Sequence, residues 1–505
     1  MNWRSQVEWL DWIVPLAFGL GLCLLIPLGT AFEFGADEGF EFMKGWLVSL
    51  GHPLYGEFWN DQPPLHTEIM AVLFKICGPS ALVGRLLSVA FATLLVTVFY
   101  QTARMRSGRA AGVIAVVFLA ASPSFLQLSA SVMLEVPAMA AGMASVWSWF
   151  RYKECTRAKW LWISGALLGC ALQVKPTAVI FLPALAVNWI VSWRTDARSG
   201  QFALARETNQ MGSESWFPDS CRSALLWCGT AVGAFLLIAF CFYRAGTLDV
   251  FFHSHFSKET AAVVSANEAY AFHTKTLVEI CEFSFPAAAG MVLIVLRRRR
   301  DLVFPVVLLL TAVAIHLWHR PFWYYYQLHF SIPLAWLGAV AVLEIFRMLW
   351  EQPLAMTRWR KWKFGAGLLT WSAVISLVVT TVPVNLWNEI ALLRAAVPAA
   401  KDVTVAAFKR HAAGTRWAFT NERSAAFWAG LRIPPELAVI PSKRMWSGQI
   451  GEAEVLRWLQ RYQPEIILVP QEWEMKFKLT GYLRKHYRAD TESGVERLYL
   501  ISRPQ

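Results

Sequence analysis

Residues 12–38 read WIVPLAFGLGLCLLIPLGTAFEFGADE, an apolar run to about residue 31 followed shortly by the acidic pair Asp37-Glu38. A run of roughly 18–20 apolar residues is long enough to cross a bilayer. The modest charged start and the lack of a small-residue cleavage site make this run an expected anchor and not a signal peptide. Similar runs follow at about 81–100, 110–128, 132–150, 160–173, 177–193, 223–243, 284–296, 302–318, 328–346 and 364–384. The expected fold class is an α-helical polytopic membrane protein with about 11 transmembrane helices. The pair of runs flanking Lys175-Pro176 reads as a tight hairpin or as one broken helix.

Composition agrees with that reading. Of 505 residues, 56% are hydrophobic and 16% charged, and mean hydropathy is +0.40. Soluble proteins carry about a quarter charged residues, so an ordinary soluble enzyme, a disordered chain and a disulfide-rich module are excluded. The 26 Trp, 33 Phe and 12 Tyr suit rings at two membrane interfaces. The net charge of +12 comes from short basic clusters between apolar runs, which points to cytoplasmic loops and not to a nucleic-acid partner. The eight Cys show no CxxC pair and no metal spacing, and none lies beyond Cys281.

Lys and Arg set the orientation. With the N-terminus inside, one set of loops holds Arg104, Arg106 and Arg109; Arg151, Lys153, Arg157 and Lys159; Arg297 to Arg300; and Arg358, Arg360, Lys361 and Lys363. That set totals about 21 basic residues against about eight in the alternate set. The expected location is a plasma (inner) membrane, multi-pass, with the N-terminus cytoplasmic and the C-terminal part outside.

The chain divides into a membrane domain, 1–388, with long exterior loops at 32–80 and 244–283, and an extracytoplasmic α/β domain, 389–505. In the first loop Phe40, Met43, Leu47 and Leu50 form one helical stripe, with Glu41 and Lys44 off it, as in a helix lying flat in the interface. A second helix begins after Pro63-Pro64 with Ile69, Val72, Leu73 and Ile76 on one face. In the tail, Thr415–Thr420 and Glu465–Pro470 read as strands and Gly451–Gln463 as a helix. Tyr487–Asp490 and Val495–Ser502 read as a closing hairpin.

Ionisable residues are costly in the hydrocarbon, so their placement is informative. Arg85, Glu135, Lys175, Arg320 and most histidines map to exterior loops or exterior span ends. Asp37 and Glu38 open the first interfacial helix, where a carboxylate serves either as a cap or as a base. Asp61, in Trp59-Asn60-Asp61-Gln62-Pro63-Pro64, caps the next helix or shapes a pocket beside Asp37, with His66 close behind. Lys175 either snorkels to the interface or, beside a proline-freed turn, faces a ligand. The aromatics of His319-Arg320-Pro321-Phe322-Trp323-Tyr324-Tyr325-Tyr326 read as an interfacial belt, with His319 and Arg320 available to an anionic head group. His253, His255 and His273 offer a weak metal pattern. No zinc signature, Walker loop, GxGxxG or GxSxG occurs in a supporting context.

The acidic pair after the first span and the NDQPPL element about twenty residues on resemble the bacterial protein O-mannosyltransferase superfamily. That group has the C-type glycosyltransferase fold and includes the lipid A aminoarabinose transferases. Ser122-Pro123, Glu135-Val136-Pro137, LQVKP and HRPFWYYYQLHFSIP are similar to its later landmarks, in order, over roughly residues 10–385. The resemblance implies a polyprenyl-phosphate sugar donor and transfer with inversion to a lipid, glycan or protein hydroxyl on the exterior face. It puts Asp37 in the place of the base with Glu38 its neighbour. Lys175, Arg320 and His319 fall near the donor phosphate, and Asp61, Glu135 and His66 near the acceptor or sugar. It requires no cofactor with certainty, though a divalent metal remains open. A secondary transporter, with charges near the midplane and two repeated halves, and a non-catalytic scaffold are the competing readings.

Overall fold

The computed structural model describes residues 10–198, 219–273, 302–350 and 378–502, with a few isolated positions between them. The runs at 284–296 and in the first part of 364–384 lie outside the described residues, as do most of the basic residues at 297–300 and all of those at 358–363.

The membrane portion begins with α1 (Leu10–Leu25), α2 (Glu38–Ser49), α3 (Leu65–Cys77), α4 (Ala81–Ser107), α5 (Arg109–Ala120), α6 (Phe125–Ala130), α7 (Glu135–Cys155), α8 (Ala158–Val174) and α9 (Phe181–Arg198). Helices Asp219–Phe242, Val303–Trp318 and Gln327–Trp350 follow, and another helix covers 378–394. Among the described residues, 3 helical segments are long and apolar enough to cross a membrane: Ala81–Ser107, Cys221–Phe242 and Tyr324–Glu344. Shorter apolar helices include 11–25, 109–120, 158–174, 176–191 and 303–318. The segment at 324–344 is almost wholly buried, whereas few residues of the one at 221–242 are fully buried.

Local sequence explains the breaks. Gly108 has φ of 92°, a value glycine alone adopts without strain, and this one residue separates α4 from α5. The run expected at 110–128 is divided at Ser122-Pro123-Ser124, because proline lacks the N–H and blocks the preceding turn. At Lys175 the backbone is extended (φ −153°, ψ 131°), as a residue before proline prefers, and a 3-10 turn, Pro176–Ile180, leads into α9. Of the two readings of that region, the broken helix is the closer.

Small residues let α8 and the helix Asp219–Phe242 approach closely. A Cβ on Gly165 would meet Trp227 O at 2.5 Å, and one on Gly169 would meet Ala231 O at 2.4 Å. Ser145 and Ser164 hydrogen-bond each other's carbonyls across α7 and α8, at 2.7 and 2.8 Å. Trp227 Nε1 donates to Ser164 Oγ at 2.9 Å.

The C-terminal part carries a sheet in the order β1 (Ala418–Thr420), β2 (Ile466–Leu468), β4 (Leu498–Ile501), β3 (Tyr487–Ala489). β1 and β2 are parallel, with Phe419 opposite Ile467, and helices fill the crossover between them. β4 pairs antiparallel with both β2 and β3, which confirms the closing hairpin. The helix Glu452–Tyr462 lies where its apolar spacing predicts, with Val455 and Leu459 buried.

This part shares one core with the long loop at 32–80. Phe42 of α2 stacks on Phe427 at 4.7 Å and 9°, and Phe74 of α3 lies 5.9 Å from the same ring. Backbone bonds run from Phe32 N to Val397 O at 2.7 Å and from Ala399 N to Thr30 O at 2.8 Å. Trp428 Nε1 adds a bond to Phe32 O at 2.9 Å.

That docking corrects the expectation of an interfacial α2 with a wet polar face. Glu41 and Lys44 are 5% and 3% exposed, while Leu50, at the end of the supposed buried stripe, is 48% exposed. In α3 the predicted apolar face is turned outward: Val72 and Ile76 are exposed, and His66, Thr67, Met70, Ala71 and Phe74 are buried. Both faces of this helix are largely apolar, and the smaller, partly polar one packs against protein.

Candidate active site

Asp37 occupies the N-cap position of α2, yet its carboxylate makes no capping hydrogen bond. It lines a cavity of about 680 Å³ instead. Burial raises its pKa; nearby Lys175 pulls it back, and Glu41 pushes it up again.

Glu38 has a different role. Its carboxylate accepts from Phe34 N at 3.1 Å, Val132 N at 3.0 Å, Arg85 Nε at 2.9 Å and Arg85 Nη2 at 2.7 Å. Arg85 also donates to Leu28 O and Ala31 O and covers the Phe34 ring at 4.5 Å. Glu38 is fully buried and does not line the cavity. The carboxylate expected to help catalysis is therefore structural, since its lone pairs are already taken.

Lys175, freed by the break before Pro176, points its ammonium into the same cavity. It pairs with Glu135, at the start of α7, and lies 4.3 Å from the centroid of Tyr325. Burial, then the charge of Lys443, lowers its pKa to about 7, although Asp37 and Asp61 oppose the shift. Glu135 is buried, lines the cavity, and its Oε2 has no hydrogen-bond partner.

Asp61 also lines the cavity and does not cap α3, whose N-cap position is Pro64. Its Oδ2 is 3.6 Å from His255 Nε2 and 3.9 Å from Lys443 Nζ. Beside it, Lys44 Nζ lies 2.6 Å from Glu41 Oε1 and 3.3 Å from Asn60 Oδ1. Burial pushes the Glu41 carboxyl up, but Lys44 and His66 outweigh it and bring its pKa down to about 2.

Three expected contacts are placed elsewhere. His66 is fully buried, 3.8 Å from Glu41 Oε2, and supports that carboxylate from outside the cavity lining. Arg320 Nη1 is 4.0 Å from Glu268 Oε1 and is not a lining residue. His319 lies against Tyr326 and His316, and burial followed by the charge of Lys443 lowers its pKa to about 4, so it is neutral at pH 7. The loop carrying these two packs its aromatics inward, which turns the residues before them away. Trp323, Tyr324 and Tyr325, read as an interfacial belt, line the cavity.

Other lining residues had no signal in the sequence: Asn421, Arg423, Lys443, Glu472 and Trp473 come from the C-terminal part, in ordinary soluble composition. The histidine metal pattern disperses, with His253 Nε2 on Ser447 O and His255 facing Asp61. Among the described residues no group of three or more His, Cys, Asp or Glu gathers as a metal site.

Residues 61–205 match the family described as dolichyl-phosphate-mannose-protein mannosyltransferase. No curated protein matches the chain. Among solved structures, ArnT from Cupriavidus metallidurans bound to undecaprenyl phosphate is similar with a TM-score of 0.60 at 14% identity, over 99% of this chain and 100% of that one. Its apo state gives 0.61 at 14% identity, with 98% of each chain covered. The Archaeoglobus fulgidus oligosaccharyltransferase in its apo form gives 0.53 at 14% identity, over 93% of this chain and 70% of that one. At such identities the likeness is one of fold. The chain thus has the C-type glycosyltransferase fold, akin in architecture to ArnT, and over residues 61–205 it is similar to the protein mannosyltransferase family.

Proposed function

We propose that this protein transfers a sugar from a polyprenyl-phosphate donor to an acceptor hydroxyl on the extracytoplasmic side of the membrane, with inversion. The observation that carries the reading is the uncapped Asp37 carboxylate in one cavity with the Lys175 ammonium. The acceptor is a lipid, a glycan or a protein.

The chemistry needs few groups. The acceptor oxygen bonds to the anomeric carbon as the bond from that carbon to the phosphate oxygen breaks. The polyprenyl phosphate leaves with the electron pair, and the hydroxyl proton goes to Asp37. Lys175 stabilises the charge that grows on the phosphate. The departing polyprenyl phosphate, a phosphate monoester, is a good leaving group at neutral pH, so no acid is required. A single displacement needs no carboxylate nucleophile, which agrees with Glu135 being tied to Lys175.

The lipid end has a matching space. An apolar cavity of about 230 Å³, lined by Leu172, Pro176, Phe235, Leu248 and Phe252, shares Asn60, Asp61 and Gln62 with the larger one. The basic-loop count supports the exterior assignment. The buried Asp11 anchors Arg104 and Arg109 of the basic set.

The test is incubation of purified protein with a panel of polyprenyl-phosphate sugars, following free lipid phosphate by mass spectrometry. Release that is abolished in Asp37→Asn supports the reading. Full-rate transfer by a folded Asp37→Asn protein removes the base, and cysteine labelling of position 37 from the cytoplasm removes the topology.

A further inference from the structure

The C-terminal part supplies much of the cavity wall, including the cations Arg423 and Lys443. They differ in what they can do. Arg423 Nε donates to Ala438 O at 2.9 Å, Nη1 to Asn421 O at 2.9 Å, and the guanidinium covers Phe40 at 3.8 Å. Its hydrogen-bonding fork is already engaged. Lys443 is 14% exposed, and its ion pair with Asp61 spans 3.9 Å, beyond hydrogen-bond reach. That carboxylate has a second neighbour in His255 Nε2 at 3.6 Å, an imidazole whose pKa is lowered by burial and then by the charge of Lys443.

The geometry therefore sets two ammonium groups, Lys175 and Lys443, on one cavity, each with hydrogens free to take another acceptor. They arrive from parts of the chain far apart in sequence. Their repulsion is poorly screened in this space and contributes to the depressed pKa of Lys175. An anion held between them would turn that repulsion into two attractions. Arg320, facing Glu268 outside the lining, does not supply the second cation.

We infer that Lys443 binds the phosphate of the lipid donor together with Lys175, which makes the C-terminal part half of the donor site. The inference rests on the polyprenyl-phosphate reading above and adds to it a residue and a second structural unit. On binding, Lys443 exchanges a long pairing with Asp61 for charge-assisted bonds to phosphate oxygens. Asp61 keeps His255 as its neighbour.

The experiment uses the full chain in nanodiscs and two probes, undecaprenyl phosphate and undecaprenol, which differ only in the phosphate. Lys443→Met is expected to weaken undecaprenyl phosphate binding about tenfold or more and to leave undecaprenol binding unchanged. Lys443→Arg should recover most of the loss. Lys478→Met, at an exposed lysine paired with Glu452 away from the cavity, should match the wild type. Unaltered phosphate discrimination in Lys443→Met overturns the inference alone. Equal loss of both lipids also overturns it, by showing a folding defect or a tail contact. A wild-type protein that does not distinguish the two lipids overturns the inference and the donor reading together.

Discussion

Arg85 and Glu38 meet side on, Nε to Oε1 at 2.9 Å and Nη2 to Oε2 at 2.7 Å, with both side chains fully buried. The pair ties α4 to the first turn of α2, so it fixes the backbone from which the preceding residue, Asp37, projects. Removing one partner of such a pair leaves an uncompensated buried charge.

Arg85→Met is expected to cost about 3–5 kcal/mol of stability and to abolish transfer by displacing Asp37. Thermal melting in detergent reads the first effect and turnover the second. Combining it with Glu38→Gln should recover part of the melting temperature, since no lone charge then remains.

Asp37→Asn should behave in the opposite way. Loss of a general base lowers kcat by roughly 10²–10⁴-fold. The folded protein holds this carboxyl above its ordinary pKa, chiefly through burial, so the ionised form weakens the fold at neutral pH. The asparagine variant should therefore melt at the same temperature as the wild type or higher, while binding the donor.

The pH dependence follows from the same two groups. Phosphate binding needs protonated Lys175, whose pKa is lowered to about 7, so kcat/KM for the donor should fall as pH rises through that value. The acid limb reports Asp37 and should lie above the range of an exposed aspartate. Lys175→Arg keeps its charge to high pH and should remove the alkaline limb. A pH profile of kcat/KM that is flat from 6 to 9 for the wild type would contradict the assignment.

Phe427 joins the two parts of the molecule through its stacking on Phe42 and Phe74. Phe427→Ala should cost about 3–5 kcal/mol and expose the connection near residue 397 to limited proteolysis. Donor turnover should fall with it, because Arg423, Lys443 and Trp473 line the cavity from the loosened side.

Much of this was legible in the sequence where the signal is local. The apolar runs, the break at Pro176 and the tail hairpin each depend on a few adjacent residues. Asp37, Asp61, Glu135 and Lys175 were found because charge at a span end is expensive and so conspicuous. The outward turn of Val72 and Ile76 was not legible: periodicity marks a face as apolar, but in a bilayer lipid receives such a face as readily as protein does. Glu38 could not be told from Asp37, since the distinction is made by Arg85, far along the chain. Lys443 and Arg423 reach the cavity only through tertiary docking, and the residues around them carry no unusual spacing.

The order of synthesis gives that docking a further meaning. Asp37 and Lys175 are synthesised before Lys443 and Trp473. A nascent chain that stalls between them holds the base and one ammonium of the cavity without its far wall.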